Sequence, residues 1–418
     1  MRRRSLSSAV GISPILTEGI LSTILWWYNL VGLTFVGDKI RIHWGATVAL
    51  CCWVYSCLFI LIGIVKERND WDKVFEGFSV LTFCAMALLK VISMMRNKYP
   101  NWYYLLKTLN DVEEQQLNFK PPPVVEYESD EESVDERIKF KGCIKKYTNR
   151  YHAVLNVFLK IYFATFIIYV SAPYMEFALL KYRKIESTKK PHIFPALYPF
   201  EDIHFILYAA AVVIEFVAAL YVVLVHVTFD ATTIGLCVFS CAQFCLLRDY
   251  SQTIGGKGDT CNVTEKRDNR AHYRIVQCHK LHKTLTKTIK VLNSLLRNLM
   301  GLYFIIETLT VCTTAAKVVN VVQLLTWVQY LSGILFQLFI FCYYGNQIFF
   351  YSSIGMGEGP YGSAYWCLSA RIRKELSILA FGMSRPRRLM AGPFLYVNLN
   401  SFVQILRAAY SYYAVIRK

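Results

Sequence analysis

The residues with the clearest potential for chemistry are Cys278, His279 and His282, which form a C-H-x-x-H sequence within a helical pattern. Thiolate and imidazole groups are ligands that zinc prefers, but a zinc site needs a fourth ligand at a suitable spacing. The neighbouring sequence offers none, and no nucleophile is paired with a base elsewhere in the chain. The sequence therefore predicts no metal, no cofactor and no enzymatic activity.

Three charged residues, Glu215, Glu307 and Arg407, interrupt long apolar stretches. Charged side chains within a membrane are costly and usually face protein or water. One hypothesis is that Arg407 pairs with Glu307 or Glu215 within the membrane. The sequence leaves the alternative equally open, namely that each side chain snorkels to an interface or lines a wet crevice.

The elements that hold these residues are apolar stretches of membrane-spanning length. The chain has 418 residues, of which 55% are hydrophobic. A helix needs about 20 apolar residues to cross a bilayer. The pattern predicts an all-α integral membrane protein with seven transmembrane helices, at about 43–65, 74–95, 151–174, 203–228, 299–319, 321–350 and 393–418.

Other features refine these spans. Pro173 is expected to close the third span, and Lys90, near the end of the second, is expected to snorkel to the interface. Helical periodicity continues after the fourth span through residues 230–250, which predicts one long helix that leaves the membrane. Residues 264–298 and 362–383 have the pattern of amphipathic basic helices, whose apolar faces need protein partners or a membrane surface.

The charge distribution predicts the orientation of the chain. There are 46 Lys and Arg against 29 Asp and Glu, a net charge of +17. A mean hydropathy of +0.33 excludes a basic nucleic-acid-binding domain. Most basic residues fall in the N-terminus and in the loops after spans two, four and six, which predicts an inside N-terminus and an outside C-terminus. The basic loop at 181–190 is the exception.

Three segments resemble the insect odorant receptor family. Before the fourth span, Pro195, Tyr198, Pro199, Phe200 and Glu201 match a P-x-x-x-Y-P-F-[DE] ending, and the sixth span ends with YYGNQI at 343–348. In the last segment, 384–418, the matching residues are Ala391, Gly392, Phe394, Leu399, Phe402, Ile405, Leu406, Ala408, Ala409, Tyr410, Ser411 and Tyr412. The T-Y-x5-Q-F signature of the related gustatory receptors is absent.

The resemblance implies a subunit of an odorant-gated, non-selective cation channel whose last helix lines the pore. In this helix Gln404, Ala408, Ser411 and Val415 form one stripe at spacings of three and four. Small and polar residues with an aliphatic near the outer end suit a water-filled path with a dewetting constriction, although small residues also mediate helix packing. The family's gate maps to Val415 and its neighbours Tyr412 and Lys418.

The resemblance also implies a ligand pocket between spans two and six. Aromatic side chains with a few hydroxyl groups, in the predicted outer halves of these spans, suit a small volatile molecule. Ordinary lipid-facing and core packing is the alternative for each of them. The candidate ligand-binding residues are Phe75, Phe78, Ser79, Thr82, Phe83, Thr165, Ile168, Tyr169, Phe205, Tyr208, Ala209, Trp327 and Tyr330. Gln323 also lies in the predicted outer half of span six.

The family further implies a heterotetramer with the shared co-receptor Orco, in the plasma membrane of olfactory neuron cilia or dendrites. This chain resembles an odorant-specific tuning subunit, because it lacks the very long second cytoplasmic loop of Orco and ends differently, in YAVIRK.

The implied regions are 1–38 (cytoplasmic, re-entrant), 39–228 (spans one to four with the pocket), 229–298 (cytoplasmic anchor loop), 299–350 (spans five and six), 351–392 (cytoplasmic anchor helix) and 393–418 (pore-lining span seven).

Two alternatives remain at this stage. A gustatory-type receptor channel is disfavoured by the missing signature. A G-protein-coupled receptor would place its N-terminus outside and carry D/E-R-Y and N-P-x-x-Y motifs, which this sequence lacks.

Overall fold

The computed structural model describes residues 19–37, 39–69, 71–118, 130–183, 190–196, 205–256, 263–315 and 321–416. For residues 71–72, 75, 130–137, 307, 310–315, 321–327 and 412–416 it describes the backbone only. The predictions that concern the side chains of Phe75, Glu307, Gln323, Trp327, Tyr412 and Val415, and all of Lys418, therefore lie outside the described residues.

The described chain is almost entirely helical. Its helices are α1 (Ile20–Leu30), α2 (Trp44–Lys66), α3 (Trp71–Met94), α4 (Trp102–Leu117), α5 (Asp130–Tyr182), α6 (Phe205–Ser251), α7 (Glu265–Ala315), α8 (Val321–Ser353), α9 (Ala370–Met383) and α10 (Leu399–Ile416). Two antiparallel hairpins interrupt them, β1 (Leu33–Val36) with β2 (Lys39–Ile42) and β3 (Met390–Ala391) with β4 (Leu395–Tyr396).

Six of these helices, α2, α3, α5, α6, α7 and α8, are long and apolar enough to cross a membrane. They coincide with the first six predicted spans. The seventh predicted span corresponds to α10, which has 18 residues and is about 27 Å long. The prediction of an all-α membrane fold is confirmed.

Helix α6 forms the centre of the bundle. It runs for 47 residues without a break, so its length is about 70 Å, more than twice the thickness of a bilayer core. It contacts α1, α2, α3, α4, α5, α7 and α8. Nearly every side chain from Ala218 to Phe244 is buried, which explains why this stretch is apolar all round rather than on one face. The prediction of one long helix is confirmed.

Several local predictions were wrong. Pro173 does not close the third span, because α5 continues through it to Tyr182. The last helix begins at Leu399 rather than directly after Gly392-Pro393, because the intervening residues form the β3–β4 hairpin. Helix α1 packs into the core, with Ile20 and Ile24 fully occluded, and its re-entrant character remains a prediction.

Helix α4 was not predicted at all. It begins where the Asn101 side chain accepts a hydrogen bond from the backbone N–H of Tyr104, at 3.0 Å. Its apolar face, which includes Trp102, Leu105 and Leu109, is fully buried.

Three glycines let the last helix approach the rest of the bundle. Gly392 has a φ of +63°, a left-handed conformation that glycine adopts without strain. A Cβ on Gly301 of α7 would lie 2.7 Å from the Gly392 Cα, so the two backbones touch there. Gly345, within the YYGNQI segment of α8, lies directly against the Val397 carbonyl, and any side chain at Gly345 would overlap that oxygen. These contacts hold the start of α10 against α7 and α8.

Candidate ligand site and pore helix

Tyr169 lies where four helices converge. Its half-buried side chain on α5 lies within electrostatic range of Glu76 on α3, Glu215 on α6 and Tyr330 on α8. Two of the candidate ligand residues, Tyr169 and Tyr330, are therefore brought together. Ile168, next to Tyr169, is also half-buried.

Two of the candidate hydroxyl groups, those of Thr82 and Thr165, already have partners. Thr82 donates from Oγ1 to the carbonyl of Ser79 in its own helix, at 2.8 Å. Thr165 donates from Oγ1 to the Ile161 carbonyl at 2.8 Å and accepts from Nε2 of Gln329 at 3.3 Å. Thr165 is thus a contact between α5 and α8, and Gln329 is a neighbour that sequence reasoning missed.

Phe83 is tied to α6 by its ring and by its backbone. Its ring stacks on His226 with the ring centroids 4.2 Å apart, and its carbonyl lies 3.3 Å from His226 Nε2. By contrast, Phe78 and Phe205 are exposed, at 51% and 76% of their surface. Ser79 and Ala209 are half-buried.

The segment 190–196 folds back onto the N-terminal end of α6. The buried Glu215 carboxylate accepts a hydrogen bond from the Ile193 backbone N–H at 2.9 Å, and its other oxygen lies 3.3 Å from His192 Nδ1. Tyr208 donates to the Pro191 carbonyl at 2.8 Å. The hypothesis that Arg407 pairs with Glu215 is therefore wrong, because Glu215 holds this segment instead. Arg407 is exposed on α10.

A buried polar cluster, not predicted from the sequence, lies deeper in the bundle. Lys90 of α3 and Asp230 of α6 form an ion pair with Nζ 2.8 Å from Oδ1, and Lys90 Nζ also lies 2.9 Å from His226 Nδ1. The second Asp230 oxygen accepts from the Tyr162 hydroxyl of α5 and from Gln337 Nε2 of α8, each at 2.8 Å. We call these five residues the Asp230 cluster.

The expectation that Lys90 snorkels to the interface was wrong. Its side chain is fully buried, and its ammonium group also lies 5.1 Å from the centroid of the Phe229 ring. An ion pair in an apolar interior is stable only when its remaining hydrogen-bonding capacity is satisfied, which His226, Tyr162 and Gln337 accomplish. The signal in the sequence was the presence of one cation and one anion, Lys90 and Asp230, in two apolar helical runs.

Helix α10 has one face that the described parts of the chain leave uncovered. Ser401, Ile405 and Ala409 are buried, whereas Gln404 and Ser411 are exposed and Ala408 is half-buried. At 100° per residue, Arg407 lies about 60° from Gln404 and about 40° from Ser411, so it shares the exposed side with them. We call the side with Gln404, Arg407 and Ser411 the open face.

The Cys278, His279 and His282 side chains do not converge. Cys278 and His282 are buried in the packing of α7, whereas His279 is exposed. In the part of the chain that the structure describes, no three His, Cys, Asp or Glu side chains form a group that could hold a metal ion.

A central helix much longer than a bilayer core is thick, packed among five further helices of membrane-spanning length, defines a polytopic membrane protein. The sequence model described as "7tm Odorant receptor" matches residues 70–410. The chain belongs to this odorant receptor family, and the resemblance seen in its sequence is confirmed.

Individual relatives agree with this assignment. Odorant receptor Or2 of Anopheles gambiae is 25% identical over 184 residues, which cover 43% of this chain and 48% of that protein. Odorant receptor 82a of Drosophila melanogaster is 23% identical over 372 residues, covering 87% of this chain and 89% of that protein. The alignments with Or2 and with odorant receptor 22c of Drosophila melanogaster each span about half of the relative's length.

The fold is also that of a solved olfactory receptor. The structure of OR5 from Machilis hrabei in complex with eugenol superposes with a TM-score of 0.71 at 14% identity, covering 94% of this chain and 96% of that one. At this identity the similarity establishes the fold.

Proposed function

We propose that the chain is the odorant-binding tuning subunit of a heteromeric, odorant-gated, non-selective cation channel formed with the co-receptor Orco in the plasma membrane of olfactory neuron cilia or dendrites. A volatile binds among α3, α5, α6 and α8 in the predicted outer half. Binding moves these helices and draws α10 away from the pore axis. The N-terminus is inside and the C-terminus outside.

The observation that carries the proposal is the open face of α10. Gln404, Arg407 and Ser411 are exposed on α10, the helix that we assign to the seventh membrane span. A polar, charged face in a membrane requires water or a protein partner. A pore shared by several subunits supplies both.

The ligand site is supported by the convergence on Tyr169. The hydroxyls of Thr82 and Thr165 bond to backbone carbonyls of their own helices. An apolar or weakly polar molecule therefore fits this region better than a strongly polar one, with shape and dispersion providing selectivity. The half-buried Phe83, Ile168 and Tyr169 supply the apolar surface.

Arg407 bears on the stoichiometry of the channel. Four guanidinium groups around one pore would repel cations. A heterotetramer reduces that number, because the co-receptor supplies the other copies of the last helix. The proposal of a heteromer is consistent with this charge.

Current recording in cells that co-express the chain and Orco tests the proposal. A panel of aliphatic alcohols, esters, terpenes and eugenol should evoke cation currents that exceed those of cells with Orco alone, and the currents should persist when G-protein signalling is blocked. Substituting Gln404→Leu or Ser411→Leu should lower single-channel conductance at equal surface expression. Currents no larger than those with Orco alone, across the panel, would refute the proposed function.

A further inference from the structure

The carboxylate of Asp230 joins four helices at one point. Asp230 belongs to α6. Its Oδ1 accepts a hydrogen bond from Lys90 of α3, and its Oδ2 accepts hydrogen bonds from Tyr162 of α5 and Gln337 of α8. Lys90 and Asp230 are fully buried, and Gln337 is 6% exposed. Because a buried charge cannot be left without its partners, these four helices cannot separate here independently of one another.

The Asp230 cluster is continuous with the candidate ligand site. His226 contacts Lys90 Nζ on one side and stacks on Phe83 on the other. Phe83 lies two helical turns before Lys90 on α3. A molecule that displaced the Phe83 ring would remove the stacking partner of His226, the side chain that contacts the ammonium group of Lys90.

The cluster is also continuous with the last helix. Gln337 is followed on α8 by Phe339, whose ring packs edge-to-face on Phe402 of α10 with the centroids 5.7 Å apart. Further along α8, Gly345 meets the Val397 carbonyl just before α10 begins. Helix α8 is thus bonded to Asp230 on one side and, together with α7, packs against α10 on the other.

We propose that Lys90, Asp230 and Gln337 are positioning residues that couple the candidate ligand site to α10. This inference rests on the proposed function, and it identifies the element that transmits the movement. The ligand-contacting residue Phe83 acts on α10 through the ion pair and Gln337, rather than through direct contact.

A double-mutant cycle between Phe83 and Gln337 tests the coupling. Phe83→Ala removes the ring at the pocket end, and Gln337→Met removes the hydrogen bond to Asp230 at nearly constant volume. The matched control is Thr233→Val. Thr233 is equally buried on α6, but its hydroxyl donates only to the Phe229 carbonyl of its own helix, at 2.9 Å.

Two measurements read out the cycle. The first is the half-maximal odorant concentration in cells with Orco, normalised to surface expression. The second is hydrogen–deuterium exchange of residues 399–411 in the full-length chain purified in detergent. A purely structural role would change expression and overall stability, but it would not make the effect of Phe83→Ala depend on Gln337.

We expect Phe83→Ala alone to change the half-maximal odorant concentration and the exchange rate of residues 399–411 about fivefold each. When Gln337→Met is already present, Phe83→Ala should change each quantity less than twofold. Thr233→Val should stay within twofold of the parent in both. Additive shifts, or an equal loss of coupling with Thr233→Val, would overturn the inference. If the parent chain gives no current above Orco alone, the proposed function fails, and the exchange cycle by itself decides whether the coupling exists.

Discussion

The Glu113 carboxylate on α4 accepts a hydrogen bond from the Tyr147 hydroxyl on α5, in a position closed to solvent. Its other oxygen, Oε2, has no hydrogen-bond partner among the described residues. Burial raises the pKa of Glu113 from 4.5 to about 7, and the Tyr147 hydrogen bond opposes this only in part. A carboxylate that ordinarily stays ionised is thus set to titrate near the pH of the cytoplasm, the side on which α4 is predicted to lie.

The first prediction concerns the pH dependence of stability. Because the folded-state pKa is raised, ionisation of Glu113 destabilises the folded protein. This destabilisation is absent below pH 4.5, grows between pH 4.5 and 7, and reaches about 3 kcal/mol above pH 7. Glu113→Gln should therefore raise the thermal midpoint of the purified protein at pH 7.5 and leave it nearly unchanged at pH 5. An equal effect at both pH values would show that Glu113 titrates normally.

The second prediction concerns the Lys90–Asp230 ion pair. Lys90→Met alone leaves Asp230 buried without its cation and should cost about 3–5 kcal/mol of folding free energy. The double variant Lys90→Met/Asp230→Leu removes both charges and should recover most of that loss. Thermal unfolding in detergent measures both. A double variant as unstable as the single one would mean that the charges act independently.

The third prediction concerns the close approach of α8 to the start of α10. Gly345→Ala inserts a methyl group where the Val397 carbonyl lies, and should destabilise the protein by about 1–3 kcal/mol. The control is Gly382→Ala in α9, where nothing lies within 4 Å of the added Cβ. There, alanine should stabilise the helix by about 0.5–1 kcal/mol. Thermal midpoints that move in the same direction would contradict the packing described.

The fourth prediction concerns ligand recognition. Tyr169→Ala and Tyr330→Ala each remove a ring from the convergence of four helices, and should raise the half-maximal odorant concentration about tenfold, equivalent to roughly 1.4 kcal/mol. Ile206→Ala is the control, because this α6 side chain is 78% exposed. If Ile206→Ala had the larger effect, the ligand would bind on the outer surface of α6 rather than between the helices.

The fifth prediction concerns orientation. Asn262-Val263-Thr264 is a glycosylation sequon that the proposed topology places in the cytoplasm. N-glycosidase should leave the mobility of the chain from insect cells unchanged. A sequon engineered into the 181–190 loop should be glycosylated and serves as the positive control. A mobility shift at Asn262 would invert the topology and with it the positions assigned to pore and pocket.

Much of the fold followed from apolar periodicity. The buried face of α7, with Ile275, Leu285 and Leu292, was predicted from spacings of three and four and is buried as expected. Such spacing reports directly on which side of a helix meets other protein. The sequence pattern did not predict helix α4, because its apolar face is short and lies within a polar segment.

The polar contacts could not be predicted in the same way. Lys90 and Asp230 are 140 residues apart, and nothing local in either helix indicates the other. Glu215 likewise bonds to the backbone of Ile193, a group that every residue except proline carries. Pairing of this kind is decided by how helices cross, which periodicity within one helix does not encode.

Helix α6 passes from Phe205 to Ser251 without a joint, and its Asp230 is held by three neighbouring helices. Because α6 has no internal break, a tilt around Asp230 would be carried along the whole helix. From Asp230 to Ser251 the helix is about 32 Å long, so a tilt of about 5° around that point sweeps its far end through roughly 3 Å. A small rearrangement at the ligand site would thus produce a larger displacement at the Ser251 end of α6, which the proposed topology places in the cytoplasm.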